Sequence, residues 1–201
     1  MAARVICWQP VWNARFPGIG MERLVLQEGP QEGWAESVIL GMTEGGVSFR
    51  VDYRLEWDAA WFLRKAAIER RMGATCQSLE LAHNGAGNWR DGSGAALPHL
   101  AGCIDIDIWP TPFTNTFPIR RAPPAAPDSR AEYAMAWVDA VSGPEITVKP
   151  MRQGYTLLRD GRYLYENLDG NFRAHLPVDG DGLVLDYEGV FRRVPATAEA
   201  P

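Results

Sequence analysis

Val47 to Asp58 reads VSFRVDYRLEWD. Val47, Phe49, Val51, Tyr53, Leu55 and Trp57 alternate without a break against Ser48, Arg50, Asp52, Arg54, Glu56 and Asp58. A strict period of two puts the apolar set on one side of a β-strand and the polar set on the other. With a rise of about 3.3 Å per residue the strand is about 40 Å long, well beyond the usual five or six residues. A long strand with one wet face belongs to an antiparallel sheet, because parallel sheets are buried on both faces. The stretch predicts a large antiparallel sheet whose apolar side is the working surface of the molecule.

Upstream, Arg4 to Val11, Glu22 to Gln27 and Trp34 to Leu40 read as strands separated by Pro17-Gly18-Ile19-Gly20 and by Gly29-Pro30, with Gly45-Gly46 turning into the long strand. Downstream, Ala59 to Met72 (AAWFLRKAAIERRM) has helical composition, and Asp58 stands where a helix cap would. The chain must nevertheless turn back after so long a strand, and Trp61-Phe62-Leu63 supplies bulk for a pairing partner; a strand is predicted. Thr75 to His83 ends at the hairpin signal Asn84-Gly85, and Trp89-Arg90 returns before Asp91-Gly92. In Leu100 to Trp109, Ile104, Ile106 and Ile108 alternate with Asp105 and Asp107, as in another half-wet strand.

Pro110 to Pro127 carries further prolines at 112, 118, 123 and 124, which exclude a central strand or a helix interior and leave an ordered crossover or an exposed linker. From Glu132 onward short β segments resume, punctuated by Asp160-Gly161, Asp169-Gly170 and Asp181-Gly182. About a dozen strands are enough to curl or close a sheet. The predicted fold is all-β, a large, strongly curved antiparallel sheet forming an open or half barrel with few short helices. It forms one domain over 1–195 with a frayed tail at 196–201.

Composition narrows the function. The formal charge of the 201 residues is -5, with 20 basic and 25 acidic residues mixed along the chain, so no basic stripe offers itself to nucleic acid. MAARVICWQPVW at the start is neither a signal peptide nor a membrane span. Leu100-Ala101-Gly102-Cys103 looks like a lipoprotein cleavage box, but it stands mid-chain with no long apolar run before it. Three cysteines, Cys7, Cys76 and Cys103, suit buried thiols in a reducing compartment, and a cytoplasmic location is expected. His83, His99 and His175 share no ligand spacing, Asp179-Gly180-Asp181-Gly182 lacks the third calcium ligand, and there is no nucleophile elbow, Walker loop or dinucleotide fingerprint. No metal or cofactor is expected.

Two features carry chemistry. Asp105 and Asp107 fall on one face of one strand, roughly 6 to 7 Å apart, a separation that lets two carboxylates divide acid and base roles. Exposed alternation of this kind is more commonly just a solvated strand face. The chain also has 8 tryptophans, at 8, 12, 34, 57, 61, 89, 109 and 137, whose rings can wall a pocket for an acyl chain or stack on sugar faces. Each taken singly is more commonly ordinary core packing, and only a cluster on one concave face changes that.

Leu100 to Arg121, LAGCIDIDIWPTPFTNTFPIRR, resembles the signature of a bacterial family labelled glycolipid-binding, otherwise a domain of unknown function. Glu56-Trp57-Asp58 with Trp61, Trp89-Arg90-Asp91-Gly92, Gln153 with Tyr155, Tyr163-Leu164-Tyr165-Glu166 and Val178 to Arg193 follow in the order the family has them. The resemblance implies an antiparallel half barrel similar to envelope lipoprotein carriers, with a concave apolar face for acyl chains. It also favours strand for Trp61 to Met72.

Within the motif, Arg120 and Arg121 are placed either to clamp a ligand's carboxylate or phosphate or to neutralise Asp105 or Asp107 inside the fold, the internal pairing being favoured. The expected function is binding of one amphipathic small molecule, a lipid or glycolipid. Trp57, Trp61 and Trp89 would lie near the apolar face, with Asn115, Arg120, Tyr155 and Tyr163 as further candidate contacts. An enzyme acting on a sugar- or lipid-like substrate through Asp105 and Asp107, and a protein-interaction module, are the alternatives.

Overall fold

The computed structural model describes residues 3–195, so the tail expected at 196–201 lies outside the described residues. The first half of the chain is a meander: β1 (Arg4–Pro10), β2 (Gly20–Glu28), β3 (Glu32–Met42), β4 (Ser48–Asp58), β5 (Leu63–Met72), β6 (Thr75–His83) and β7 (Trp89–Asp91), each antiparallel to the next. Far along the chain, β13 (Asp186–Tyr187) and β14 (Phe191–Val194) return to β1 and complete a nine-stranded sheet, β13-β14-β1-β2-β3-β4-β5-β6-β7.

The long strand β4 is paired along its length with β3 on one side and β5 on the other. Its Phe49, Val51, Tyr53, Leu55 and Trp57 are all buried, as period-two alternation demands. Val47 departs from the expectation: it lies before the strand and is 45% exposed. At the other end Asp58 caps a turn rather than a helix, its Oδ1 accepting from the backbone N–H of Ala60 and Phe62. β5 is a strand despite its helical composition, because β4 and β6 take up its backbone hydrogen bonds and its buried Leu63, Ala66 and Ile68 face the core.

The remaining strands form a second sheet in the order β12-β11-β10-β9-β8. These are β8 (Asp105–Trp109), β9 (Arg130–Asp139), β10 (Thr147–Leu157), β11 (Tyr163–Asn167) and β12 (Arg173–Leu176). β10 is longer than the short segments expected after Glu132, running unbroken for 11 residues. Pro150 is tolerated within it because β11 pairs only from Gln153 onward, leaving Pro150 on a free edge.

β8 and β9 run parallel, the one strand pair among the described residues that does. A parallel pair requires a long crossover, and the proline-rich run provides it, forming a 3-10 turn at Phe113–Asn115 and the short helix α1 (Thr116–Arg121). The run is an ordered crossover, and its short helix respects the expectation that prolines exclude a helix interior. Pro118 lies in the first turn, where a missing N–H leaves no intrahelical bond unmade. β8 itself is not half-wet: Asp105, Ile106 and Ile108 are all fully buried.

Candidate functional site

Pairing registers place Asp105, Asp107 and Trp109 on the same side of the second sheet as Met135, Trp137, Met151, Gln153, Tyr155 and Tyr165. The crossover lies in that concavity and is tied to it by polar bonds. Thr114 Oγ1 donates to Asp107 Oδ1 at 2.9 Å, Tyr155 donates to Asn115 Oδ1 at 2.8 Å, and Tyr133 donates to the Ala122 carbonyl. Its other side meets the first sheet, where Phe113 and Phe117 pack their rings against Trp57 at 6.0 and 5.5 Å.

The two aspartates have different surroundings. Asp105 is fully buried and paired in fork geometry with Arg121, at 3.0 Å to Nε and 2.5 Å to Nη2. Burial raises its pKa and the guanidinium opposes that shift. This is the internal pairing favoured from the sequence. Arg120 instead reaches Glu28 at 2.7 Å and lies 4.2 Å from the Trp61 ring centroid.

Asp107 has no cationic partner among the described residues. Gln153 Nε2 donates to its Oδ2 at 2.5 Å and Thr114 to its Oδ1. Burial raises its pKa, with these two neutral donors opposing. Gln153 in turn accepts from Tyr155 at 3.2 Å, so five residues of the two sequence landmarks form one network. A third raised carboxyl stands behind it. Glu22 is pushed up to about 7 by burial, although Tyr53, Thr111 and Ser37 all donate to its Oε1. Its Oε2 is buried with no hydrogen-bond partner.

Asp107 opens onto a cavity of about 340 Å³ between the two sheets. Trp12, Trp109, Trp137, Tyr165, Tyr187 and Phe191 wall it, with Phe172 at the same rim. The rings touch one another around it: Trp12 on Trp109 at 5.1 Å, Trp109 on Phe191 at 6.0 Å, and Tyr165 on Tyr187 at 5.8 Å. Beyond the Trp12–Trp109 pair lies a second, more open groove of about 630 Å³ lined by Met72, Val47, Val141 and Pro144. Trp12 and Trp109 border both spaces. The Trp12 indole N–H is buried and has no acceptor.

The sequence model of a family described as "Putative glycolipid-binding" matches residues 9–193. The chain belongs to that family. A solved structure of a DUF1089 family protein from Pseudomonas aeruginosa is 44% identical, with a TM-score of 0.79 over 90% of this chain and 95% of that one. No curated protein matches the chain. Among the described residues, no helix is long and apolar enough to cross a membrane.

In this glycolipid-binding family member the residues singled out from sequence fall into separate groups. Asn115 lines the cavity, and Tyr155 lies directly beneath it as Asn115's donor. Trp57 and Trp61 stack at 4.7 Å, are 3% and 7% exposed, and meet Phe117 and Arg120 on the opposite side of the crossover. Trp57 also lies over Gly33, where any Cβ would come within 2.5 Å of its ring. Trp89 is elsewhere, stacked on His83 at 4.5 Å and donating to the Cys103 carbonyl at 2.8 Å. Tyr163 is buried on β11, two residues before Tyr165. Cys103 is buried, its thiol pushed up to about 11, whereas Cys76 lies exposed, contrary to the expected burial.

Tyr165, Phe172, Tyr187 and Phe191 were not singled out. Tyr165 and Tyr187 stand inside landmark segments, but nothing in the sequence says that β11, β13 and β14 meet over Asp107.

Proposed function

We propose that the protein binds one amphipathic ligand of the glycolipid type, its polar head over Asp107 and its apolar tail along the groove past Trp12 and Trp109. One observation carries this: a cavity of about 340 Å³ with aromatic walls and a single carboxylate at its floor shares its Trp12–Trp109 wall with a groove of about 630 Å³ lined largely by apolar side chains. Sites of a few hundred Å³ with apolar walls and a few placed polar groups are the usual form of small-molecule pockets. Asp107 offers the head an acceptor at the cavity floor, with Asn115 fixed beside it by Tyr155. Tail burial would supply affinity at about 25 cal/mol per Å².

Trp57, Trp61 and Arg120 contribute, on this view, by holding the crossover in place beneath the cavity, and Trp89 and Tyr163 by packing. Native mass spectrometry of protein from its own host, followed by solvent extraction, tests the proposal. A stoichiometric amphipathic adduct that Trp12→Ala loses while keeping its melting temperature is the expected result. An adduct retained in Trp12→Ala, or lost only together with the fold, would remove the cleft as its site.

Asp107 also supports a second reading, as a general acid on a sugar- or lipid-like substrate, because its carboxyl is raised and borders a cavity. Asp105, neutralised by Arg121, has no part in it. Turnover of a chromogenic glycoside or ester that Asp107→Asn abolishes would support this; no turnover above an Asp107→Asn background dismisses it.

A further inference from the structure

We propose that the cavity is selective for a positively charged head, an ammonium carried by an amino sugar or by a choline-like group, over a neutral or anionic one. This rests on the cleft proposed above and concerns what it selects. The aromatic walls alone would suit a neutral sugar, but several of the polar side chains of the lining are engaged within the protein. Asn115 gives Nδ2–H to the Pro112 carbonyl and accepts from Tyr155; Thr111 gives its hydroxyl to Glu22; Asn167 Oδ1 accepts from the Asp169 N–H.

What remains is negative charge and π faces. Asp107 has one protein donor on each oxygen, which leaves about two of its four lone-pair positions open. Among the described residues, no Lys or Arg lines the cavity. A phosphate or sulfate would therefore meet the Asp107 carboxylate in a poorly hydrated space with no cation to offset it. An ammonium meets the opposite case: three tryptophans, two tyrosines and two phenylalanines present ring faces or edges around one uncompensated carboxylate. Aromatic cages of this make-up bind cations through the ring quadrupole, and most strongly when water is excluded. Trp137 already meets a cation in this way, its cross-strand partner Lys149 standing with Nζ 5.0 Å from the ring centroid. The raised pKa of Asp107 fits a carboxylate whose counter-charge is to arrive with the ligand.

Four probes with one tail test this by calorimetry below their micellar concentrations: octyl β-glucoside, octyl glucosaminide, octyltrimethylammonium and octyl sulfate. At pH 7.5 at least one cationic probe should bind about tenfold or more tighter than octyl glucoside, with octyl sulfate weakest. Whichever cation binds best distinguishes an amino sugar from a quaternary ammonium source. Asp107→Asn should bring the cationic probe to within a factor of about two of the glucoside, this change matching the loss of the one charge. If that variant does not fold, the wild-type series decides by itself, together with loss of the cation preference as pH falls and Asp107 protonates. Equal or tighter binding of octyl glucoside overturns the charge selectivity and leaves the cleft standing. Binding of no probe overturns both.

Discussion

Glu22 carries the most exposed consequence of a single residue. Its carboxyl is buried among Tyr53, Thr111 and Ser37 with one oxygen unpartnered, and its pKa stands near 7 instead of 4.5. The folded state thus holds a proton that the unfolded chain releases, so the stabilisation is complete below about pH 4.5 and is lost as pH rises through about 7. The difference corresponds to roughly 3 kcal/mol between its two ends. Urea melts at pH 5 and pH 8 should show wild type losing stability over this interval, and Glu22→Gln losing markedly less of it; parallel losses in both would place the titration elsewhere. His83 acts in the opposite direction, since burial lowers its pKa and its contribution is lost as pH falls below the ordinary histidine range. Arg121 contributes through a buried ion pair. Arg121→Ala strands the buried Asp105 and should destabilise the fold by about 3–5 kcal/mol, whereas the Arg121→Ala/Asp105→Asn pair should recover part of that loss. No recovery would mean that Arg121 acts through packing on Phe62 and Tyr133 alone.

At the scale of the element, the crossover between β8 and β9 decides how the site is built. α1 and the turn before it are too short to hold a helix by themselves, and an isolated helix of that length is unstable in water. Their shape is imposed by what they touch: Phe113 and Phe117 on the tryptophans of the first sheet, Thr114 and Asn115 on the polar floor of the second. Phe117→Ala should therefore destabilise by about 3–5 kcal/mol and should raise amide exchange in 113–121 before it does so in β4. Uniform loss of protection would show that the crossover does not open as a unit. β5 illustrates the reverse relation. Its composition favours helix by a few tenths of a kcal/mol per residue, yet two pairing strands and a buried face outweigh that preference. The strands were legible because period two survives in nearly every segment; the crossover was not, because its prolines erase any period and its partners are remote in sequence.

At the scale of the whole molecule the two sheets have different tasks. The first supplies an alternating face that is consumed by packing, so Trp57 belongs to the core even though it stands near the end of a long amphipathic strand. Trp57→Ala should lower stability by about 3–5 kcal/mol in a chemical melt, while Trp12→Ala, at a cavity rim, should leave the midpoint near wild type. If the two variants melt alike, the division between core and rim tryptophans is wrong. The cavity exists only where the end of the first sheet, β13 and β14, closes against β11 of the second. Of the candidate contacts read from sequence, Asn115 lines it and Tyr155 supports it, and the alternative acid Asp107 forms its floor.

The sequence by itself determined the strand class, the turn-back at Asp58, the family and the internal neutralisation of an aspartate by an arginine, because each follows from local periodicity, from a contiguous motif or from charges close along the chain. Only the tertiary structure decided which tryptophans stay at a cavity, that Glu22 joins Thr111, and that Asp105 receives a cation while Asp107 does not. These depend on which remote segments share a face once a twenty-residue crossover has set β8 parallel to β9, and pairing across such distances leaves no periodic trace in the chain.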